Sequence, residues 1–420
     1  MPQLSVPGSE HDESPAATPA ARRPRFFAGR FTALDWIAAA FLVAGLGCVA
    51  TGLLPTASAG ATVRRITPLL IFLGSVIALA ELTAEAEVFD VLARRVAALG
   101  RGRYPILALL CIVLAAVTTA TLNLDTTVVL LTPVMLALAA RLEAPPLPFA
   151  ATTVWLANTA SLLLPVSNLT NLLAGNRVGL SATAFAARMW LPELASVLVT
   201  SAALWLFYWR RGRRGVASYR PPAALVPADR VLFIVAASAC TMFLAGVIAG
   251  APLEVVALAA AAVLVVAYLF RRRSSLRNWR LLPVQLLAFV TGLFLVVDTV
   301  REHWLGSLLF SAVGSNGGAA GVVRAAGLGA GLSNAINNLP AYYAAEATVP
   351  LANHDQLLGL LIGTNVGPII TPWASLATLI WYSRCRASGV AIPWVRLTWT
   401  GAVTAVAALA AAVGALLLTR

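Results

Sequence analysis

The sequence predicts an all-α polytopic membrane protein: inverted repeats, about nine transmembrane spans, two re-entrant helical hairpins and two broken helices. Three observations carry this reading. Apolar residues make up 60% of the 420-residue chain and charged residues 11%, with a mean hydropathy of +0.84, far from the balance of a soluble domain. Apolar windows of roughly 17–25 residues, each able to cross a bilayer core of about 30 Å, recur along nearly the whole chain. Polar motifs interrupt some of these windows, and the motifs repeat. A β-barrel would need alternating segments of about ten residues, and that pattern is absent.

The first 30 residues are rich in Pro, Ala and Ser and end in Arg22, Arg23, Arg25 and Arg30. They read as a disordered cytoplasmic tail, since the apolar run after them is too long for a signal peptide and has no cleavage site. Full spans are expected at 32–54, 66–83, 146–174, 187–209, 231–249, 252–270, 283–300, 357–383 and 396–418. Regions 104–141 and 318–350 are long enough to enter a bilayer but carry polar residues in their middles. Each is read as a re-entrant hairpin, because non-helical backbone is tolerated at membrane depth where it lines a protein cavity.

The net charge is +13, and all 30 basic residues are Arg. A basic balance can signal nucleic acid, but here the arginines cluster between apolar spans, as in Arg94, Arg95, Arg101 and Arg103 or Arg271, Arg272 and Arg273. With the N-terminus cytoplasmic, 23 of the 30 arginines fall on the inside, as the positive-inside rule requires. The division that follows is a first transmembrane repeat over 31–209, a basic cytoplasmic linker over 210–230 and a second repeat over 231–420.

The repeat itself is visible in two stretches 207 residues apart. NTASLLLPVSNLTNLL begins at Asn158 and NVGPIITPWASLATLI at Asn365, so Pro165 meets Pro372 and Asn168 meets Ser375. LNLDTTVVLLTP, from Leu122 to Pro133, has its counterpart in SNAINNLP, from Ser333 to Pro340. Glu81 and Asp298 fall at matching depths, seven and six residues after Gly74 and Gly292. Corresponding elements run in opposite directions, the signature of a secondary transporter built on inverted repeats.

Four polar motifs supply the candidate site. Asn123, Asp125, Thr126 and Thr127 sit where the second arm of a hairpin would begin, and a helix start favours anions and polar oxygens. Capping accounts for Asn123 and the threonines. It does not account for Asp125, and an intramembrane Asp is a functional candidate by default. Asn158, Ser167, Asn168 and Asn171 flank Pro165, which removes a backbone donor and frees a carbonyl. Ser161 and Thr170 serve equally well as polar contacts between helices. Ser333, Asn337 and Asn338 follow the small-residue run AAGLGAGL, while Asn365, Thr371 and Ser375 surround two prolines four residues apart. Together they predict a polar, mostly uncharged cavity between two repeats.

Other chemistries lack their signatures. Cys48, Cys111, Cys240 and Cys385 share no metal-ligand spacing, and the three histidines are scattered. No HExxH, GxSxG or P-loop is present. The chain is therefore read as a non-enzyme with no cofactor and no metal. Any use of ATP would require a separate soluble ATPase.

NTASLLLPVSNLTNLL and GPIITPWASLATLIW closely resemble the two signature regions of the arsenite/antimonite efflux permeases (arsenical pump membrane proteins). These belong to the ion transporter superfamily, with the divalent anion/sodium symporters. The resemblance spans roughly residues 66–415. The first hairpin of that family carries an Asn-Asp pair before Thr-Pro. Here Asp125 is kept, Leu124 stands before it and Asn lies one further back, at Asn123. Asn-Asn-x-Pro is kept at Asn337, Asn338 and Pro340.

What the resemblance implies is export of arsenite or antimonite across the plasma membrane against proton entry, by alternating access. The residues agree in one respect: amides and hydroxyls suit a small neutral polyol such as arsenous acid, whereas a dicarboxylate would want Arg or strong helix N-termini. The alternative is a sodium- or proton-coupled transporter of another small anion, such as a dicarboxylate, or a cation/proton exchanger on the same scaffold. Asp125, then Asp298 and Glu81, are the candidates for proton coupling, since burial disfavours a charged carboxylate. Expected partners are the metalloid solute, protons and the lipid bilayer, with no nucleic acid; a homodimer and an ATPase partner stay open.

Overall fold

The computed structural model describes residues 33–121, 123–210, 218–220, 225–271, 284–314 and 317–419. The expected N-terminal tail, Leu122, most of the basic linker and Arg272 and Arg273 lie outside the described residues.

The chain is all-helical in its described elements. In order they are α1 (Ala33–Ala50), α2 (Thr56–Glu85), α3 (Val88–Leu99), α4 (Tyr104–Thr121), α5 (Leu124–Arg141), α6 (Leu147–Thr159), α7 (Leu169–Val178) and α8 (Ala182–Leu204). There follow α9 (Arg230–Ile248), α10 (Leu253–Phe270), α11 (Val284–Val300), α12 (Gly306–Val313), α13 (Ala319–Ala335), α14 (Asn338–Glu346), α15 (His354–Val366), α16 (Leu376–Ala387) and α17 (Trp394–Leu418). Among the described residues seven helices are long and apolar enough to cross a membrane. This is a multi-pass membrane protein.

Each of the nine segments expected to span carries helix. Two of them are interrupted: α6 and α7 are separated by an extended stretch and a 3-10 turn at Pro165–Ser167, α15 and α16 by a 3-10 turn at Gly367–Ile369 and the residues after it. The cause is local. Pro165 and Pro368 remove backbone donors, and polar side chains stand ready to take the groups that are freed. Both ends of α6 and the start of α7 recur 207 residues later in α15 and α16, Leu147 against His354, Thr159 against Val366 and Leu169 against Leu376.

The two hairpins differ in size. Each arm of the first, α4 and α5, has 18 residues, about 27 Å of helix and long enough to cross. The second arm of the other hairpin, α14, has nine residues, about 14 Å, too short to do so.

Packing follows small residues. α15 carries Gly359 and Gly363, with Gly367 directly after its end, at four-residue spacing and lies against α13; a Cβ on Gly363 would stand 2.1 Å from the Ala326 carbonyl oxygen. Such spacing lets helix backbones touch. α1 packs on α11, α2 on α10, and α8 on α17. The described residues from Ala33 onward form one compact unit.

Candidate functional site

Helix starts from the two hairpins and the two breaks meet at one cavity. It encloses about 430 Å³ including its open mouth, and its wall holds Leu124 and Asp125 of α5, Asn168 and Leu169 at the start of α7, Asn337, Asn338 and Leu339 at the start of α14, and Leu376 of α16. Residues from four N-terminal turns therefore border one space, and each turn brings the positive end of its dipole. Leu69 of α2 and Phe289, Val290, Leu293 and Phe294 of α11 close the opposite side.

Asn123 caps α5: its Oδ1 accepts the Thr126 N–H at 2.7 Å, and its carbonyl accepts the Thr127 hydroxyl at 2.8 Å. This leaves Asp125 one position inside the helix, 6% exposed, with Oδ1 unpartnered and buried. Asn168 caps α7 through Oδ1, which accepts the Thr170 N–H at 3.2 Å, while its Nδ2 is buried without a partner. An acceptor from the first hairpin and a donor from the first break thus stand unsatisfied on residues that line the same cavity. An unmet buried group of this kind costs about 1–3 kcal/mol.

Asn337 takes a backbone conformation rarely adopted by residues other than glycine, φ 131°. Its Nδ2 donates to the Trp373 carbonyl at 2.8 Å, and the next residue's N–H donates to the Ala374 carbonyl at 2.8 Å. The second hairpin is thereby fastened to the second break. Asn334 does most of this fastening: Nδ2 donates to Gly367 O at 2.9 Å, and Oδ1 accepts the Thr371 N–H at 3.0 Å. Thr371 also donates its hydroxyl to Asn334 Oδ1 at 3.0 Å.

The remaining expected residues lie behind the cavity. Ser167 donates to Ala120 O at 2.6 Å, joining the first break to the first hairpin. Asn171 Nδ2 donates to the carbonyls of Ser161 and Leu164 at 2.6 and 2.8 Å. Asn365 Nδ2 donates to Asn171 Oδ1 at 2.8 Å, and the Thr170 hydroxyl donates to Asn365 Oδ1 at 2.7 Å, so the two breaks are bonded to each other. Asn158 donates to Val154 O within its own helix. Ser333 bonds back to Gly329 O. Ser375 caps α16, accepting the Thr378 N–H at 3.1 Å.

Asp298 and Glu81 do not line the cavity. Asp298 accepts from the Thr62 hydroxyl and is paired with Arg65 at 3.0 Å and Arg301 at 3.5 Å. Glu81 is paired with Arg384 at the far end of α16. Each has its charge compensated, whereas no arginine lines the cavity that holds Asp125. Sequence reasoning left out the apolar wall from α2 and α11, which carries no chemical signal. Asn334 belongs to the third polar motif, SNAINN, and its place is between the second hairpin and the second break.

Comparison with known proteins gives the family. The model of the citrate transporter family, CitMHS, matches residues 28–376. The chain belongs to that family. It is also 27% identical over 348 residues to the arsenical pump membrane proteins of Escherichia coli K12, Shigella flexneri and Yersinia enterocolitica, covering 78% of this chain and 81% of each of them. The resemblance read from the motifs is borne out by these relatives. Among solved structures the chain is similar to the YdaH transporter of Alcanivorax borkumensis, with a TM-score of 0.47, 16% identity, and 92% and 97% of the two chains covered. The protein is a membrane transporter of this family.

Proposed function

We propose that this transporter exports arsenite or antimonite across the plasma membrane, driven by proton entry. Its N-terminus would be cytoplasmic, and the two halves would rock about the cavity between them. The observation that carries the reading is the cavity wall itself: three amides, four helix starts and one carboxylate, Asp125, with no fixed cation. Arsenous acid is neutral near neutral pH, and its hydroxyls can both donate to Asp125 and accept from Asn168. Asp125 is the coupling group, because it alone among the three candidate acids faces the cavity. The names of the arsenical pump relatives point the same way.

One observation favours a second reading. Four convergent N-termini suit an anion, and the family is named for citrate. On this reading the solute is a carboxylate taken up with sodium or protons.

The deciding experiment is arsenite accumulation in everted membrane vesicles, with and without a proton gradient, alongside Asp125→Asn. Gradient-dependent accumulation that the variant loses supports export and the role of Asp125. Accumulation that survives in the variant removes Asp125 from coupling. No arsenite movement by folded protein, with sodium-dependent citrate binding instead, transfers the reading to the carboxylate.

A further inference from the structure

Beyond the cavity, one buried acid is placed where neither capping nor an ion pair explains it. Glu193 lies on α8 directly after Pro192 and is 7% exposed. Its Oε2 accepts the backbone N–H of Leu162 at 2.8 Å. That N–H belongs to the unwound stretch after α6, whose last residue is Thr159. One turn along α8, the Ser196 hydroxyl donates to the Thr159 carbonyl at 2.9 Å. α8 therefore offers the first break an acceptor and a donor, on either side of the point where the helix ends.

No cation meets this carboxyl among the described residues. The elements packed most closely on α8 are α6, α17, the turn at Pro165–Ser167 and the π-helical turn at Trp205–Trp209; α7 and α15 also touch it, at Phe185 and Arg188, and the α7 cation, Arg177, acts on Glu346 and Tyr342. α6 and the Pro165–Ser167 turn hold no ionisable side chain. On α17 the one candidate is Arg396, which donates to Phe207 O at 2.8 Å and lies over the Tyr208 ring at 5.1 Å. Tyr208 shares a hydrogen bond with Thr400 at 2.8 Å. On α8 itself Arg188 is paired with Asp355 at 2.6 Å. A buried charge without a partner is among the costliest arrangements in a protein, whereas the neutral acid at the same position is not.

The second half of the molecule meets the same need without a titratable group. There the N–H of Thr371 is taken by the Asn334 amide oxygen. α17 approaches the break through Gly401, where a Cβ would lie 2.2 Å from the Ile369 carbonyl oxygen. A carboxyl on one break and an amide on the other is a chemical asymmetry between otherwise matched elements.

We propose that Glu193 is a second protonation site of the transport cycle, holding the first broken helix more tightly as the carboxylate than as the acid. A proton from the aqueous phase binds the carboxyl oxygens and is later returned to water; no other bond changes. As the anion, Glu193 makes a charge-assisted bond to the Leu162 N–H, roughly twice as strong as a neutral one. Protonation weakens this hold, and deprotonation restores it. Asn171 bonds to both Ser161 and Leu164 and to Asn365, so a shift of this stretch reaches the contact between the two halves. This rests on the proposed proton coupling, which it deepens by adding a second carboxyl to Asp125.

Glu193→Gln keeps an acceptor for Leu162 but cannot titrate. Glu193→Asp keeps the titration on a shorter arm. Purified protein is titrated by infrared spectroscopy in the Asp125→Asn background, with and without Glu193→Gln; a carboxylic C=O component that grows on acidification is expected in the difference between the two proteins. In everted vesicles Glu193→Gln should lower proton-driven arsenite accumulation about tenfold while leaving arsenite exchange across equal concentrations within about twofold of wild type. Glu193→Asp should retain part of the driven accumulation. A Glu193→Gln protein with the wild-type titrating band, or with the wild-type pH profile of driven accumulation, overturns the proposal and leaves Glu193 a structural acceptor. Should the wild type move no arsenite, the proposed function fails, yet the infrared titration still decides the protonation of Glu193.

Discussion

The two broken helices share a backbone plan and complete it by different means. In the first, freed groups are met by Asn171 from the following arm and by Glu193 from α8. In the second, the meeting groups come from the hairpin: Asn334 binds Gly367, Thr371 and, through its carbonyl, the Trp373 indole at 2.7 Å. The first break is therefore braced within its own half and against α8. The second is welded to the hairpin that shares its cavity wall. A duplicated fold needs only that each freed N–H and C=O find a partner. The choice of partner decides which parts move together, and whether the joint responds to protons.

This comparison breaks most readily at Asn334. Asn334→Leu removes the acceptor of the Thr371 N–H and the donor to Gly367 O while keeping the volume. Two buried backbone groups left unmet cost about 2–6 kcal/mol. The expected outcome is a large fall in the unfolding midpoint in detergent, with hydrogen exchange of α14 accelerated first. Asn171→Leu should instead loosen residues 160–167 and leave α14 protected. Equal loss of protection in α14 and in residues 160–167 for both variants would show that the breaks are not joined differently.

Next comes the α13–α15 contact. Gly363→Ala places a methyl group against backbone, where nothing flexible can yield. Overpacking of this kind costs about 1–3 kcal/mol. A thermal midpoint equal to wild type would mean that the helices separate freely there, and that the tight seam is not what holds the second hairpin.

Most of this architecture was written in residue patterns that physics makes hard to read otherwise. Long apolar windows can hardly be anything but helices at membrane depth, and paired prolines between amides force a break. The 207-residue offset anticipated the bounds of the matched elements because the same caps recur, Asn168 in one half and Ser375 in the other. The site was legible where polar residues were out of place, and Asp125, Asn168, Asn337 and Asn338 do share one cavity. It was not legible where the wall is apolar, because Phe289 and Leu293 look like any lipid-facing pair. Nor could sequence depth separate Asp298 and Glu81 from Asp125. Their arginine partners lie from 3 to more than 200 residues away in the chain, so pairing is visible only once helices are placed side by side.

A smaller effect sharpens the site comparison. Asn168→Ala and Asn338→Ala each remove an amide from the cavity, one from each half. Each should weaken apparent solute affinity about tenfold, or about 1.4 kcal/mol, in vesicle uptake measured across solute concentrations. Asn168→Ala carries a further cost of about 1 kcal/mol to stability, because it also uncaps α7. An unchanged apparent affinity in both variants would move the solute away from this cavity.

The smallest effect is expected where charge is exposed. Arg141 and Asp90 form a pair at 3.0 Å with side chains 44% and 27% exposed, at the end of α5 opposite the cavity. Asp90→Asn should change stability by less than about 1 kcal/mol, because water already solvates both groups and the pair must hold a long side chain in place. Its effect should shrink further as salt is raised. Glu81→Gln makes the contrast: Arg384 is 10% exposed, and removing its partner strands a nearly buried guanidinium. Unfolding of both variants at low and high salt separates the cases. A salt-insensitive loss in Asp90→Asn as large as that of Glu81→Gln would mean that the α3–α5 contact is buried in the membrane-embedded protein, against the exposure seen here.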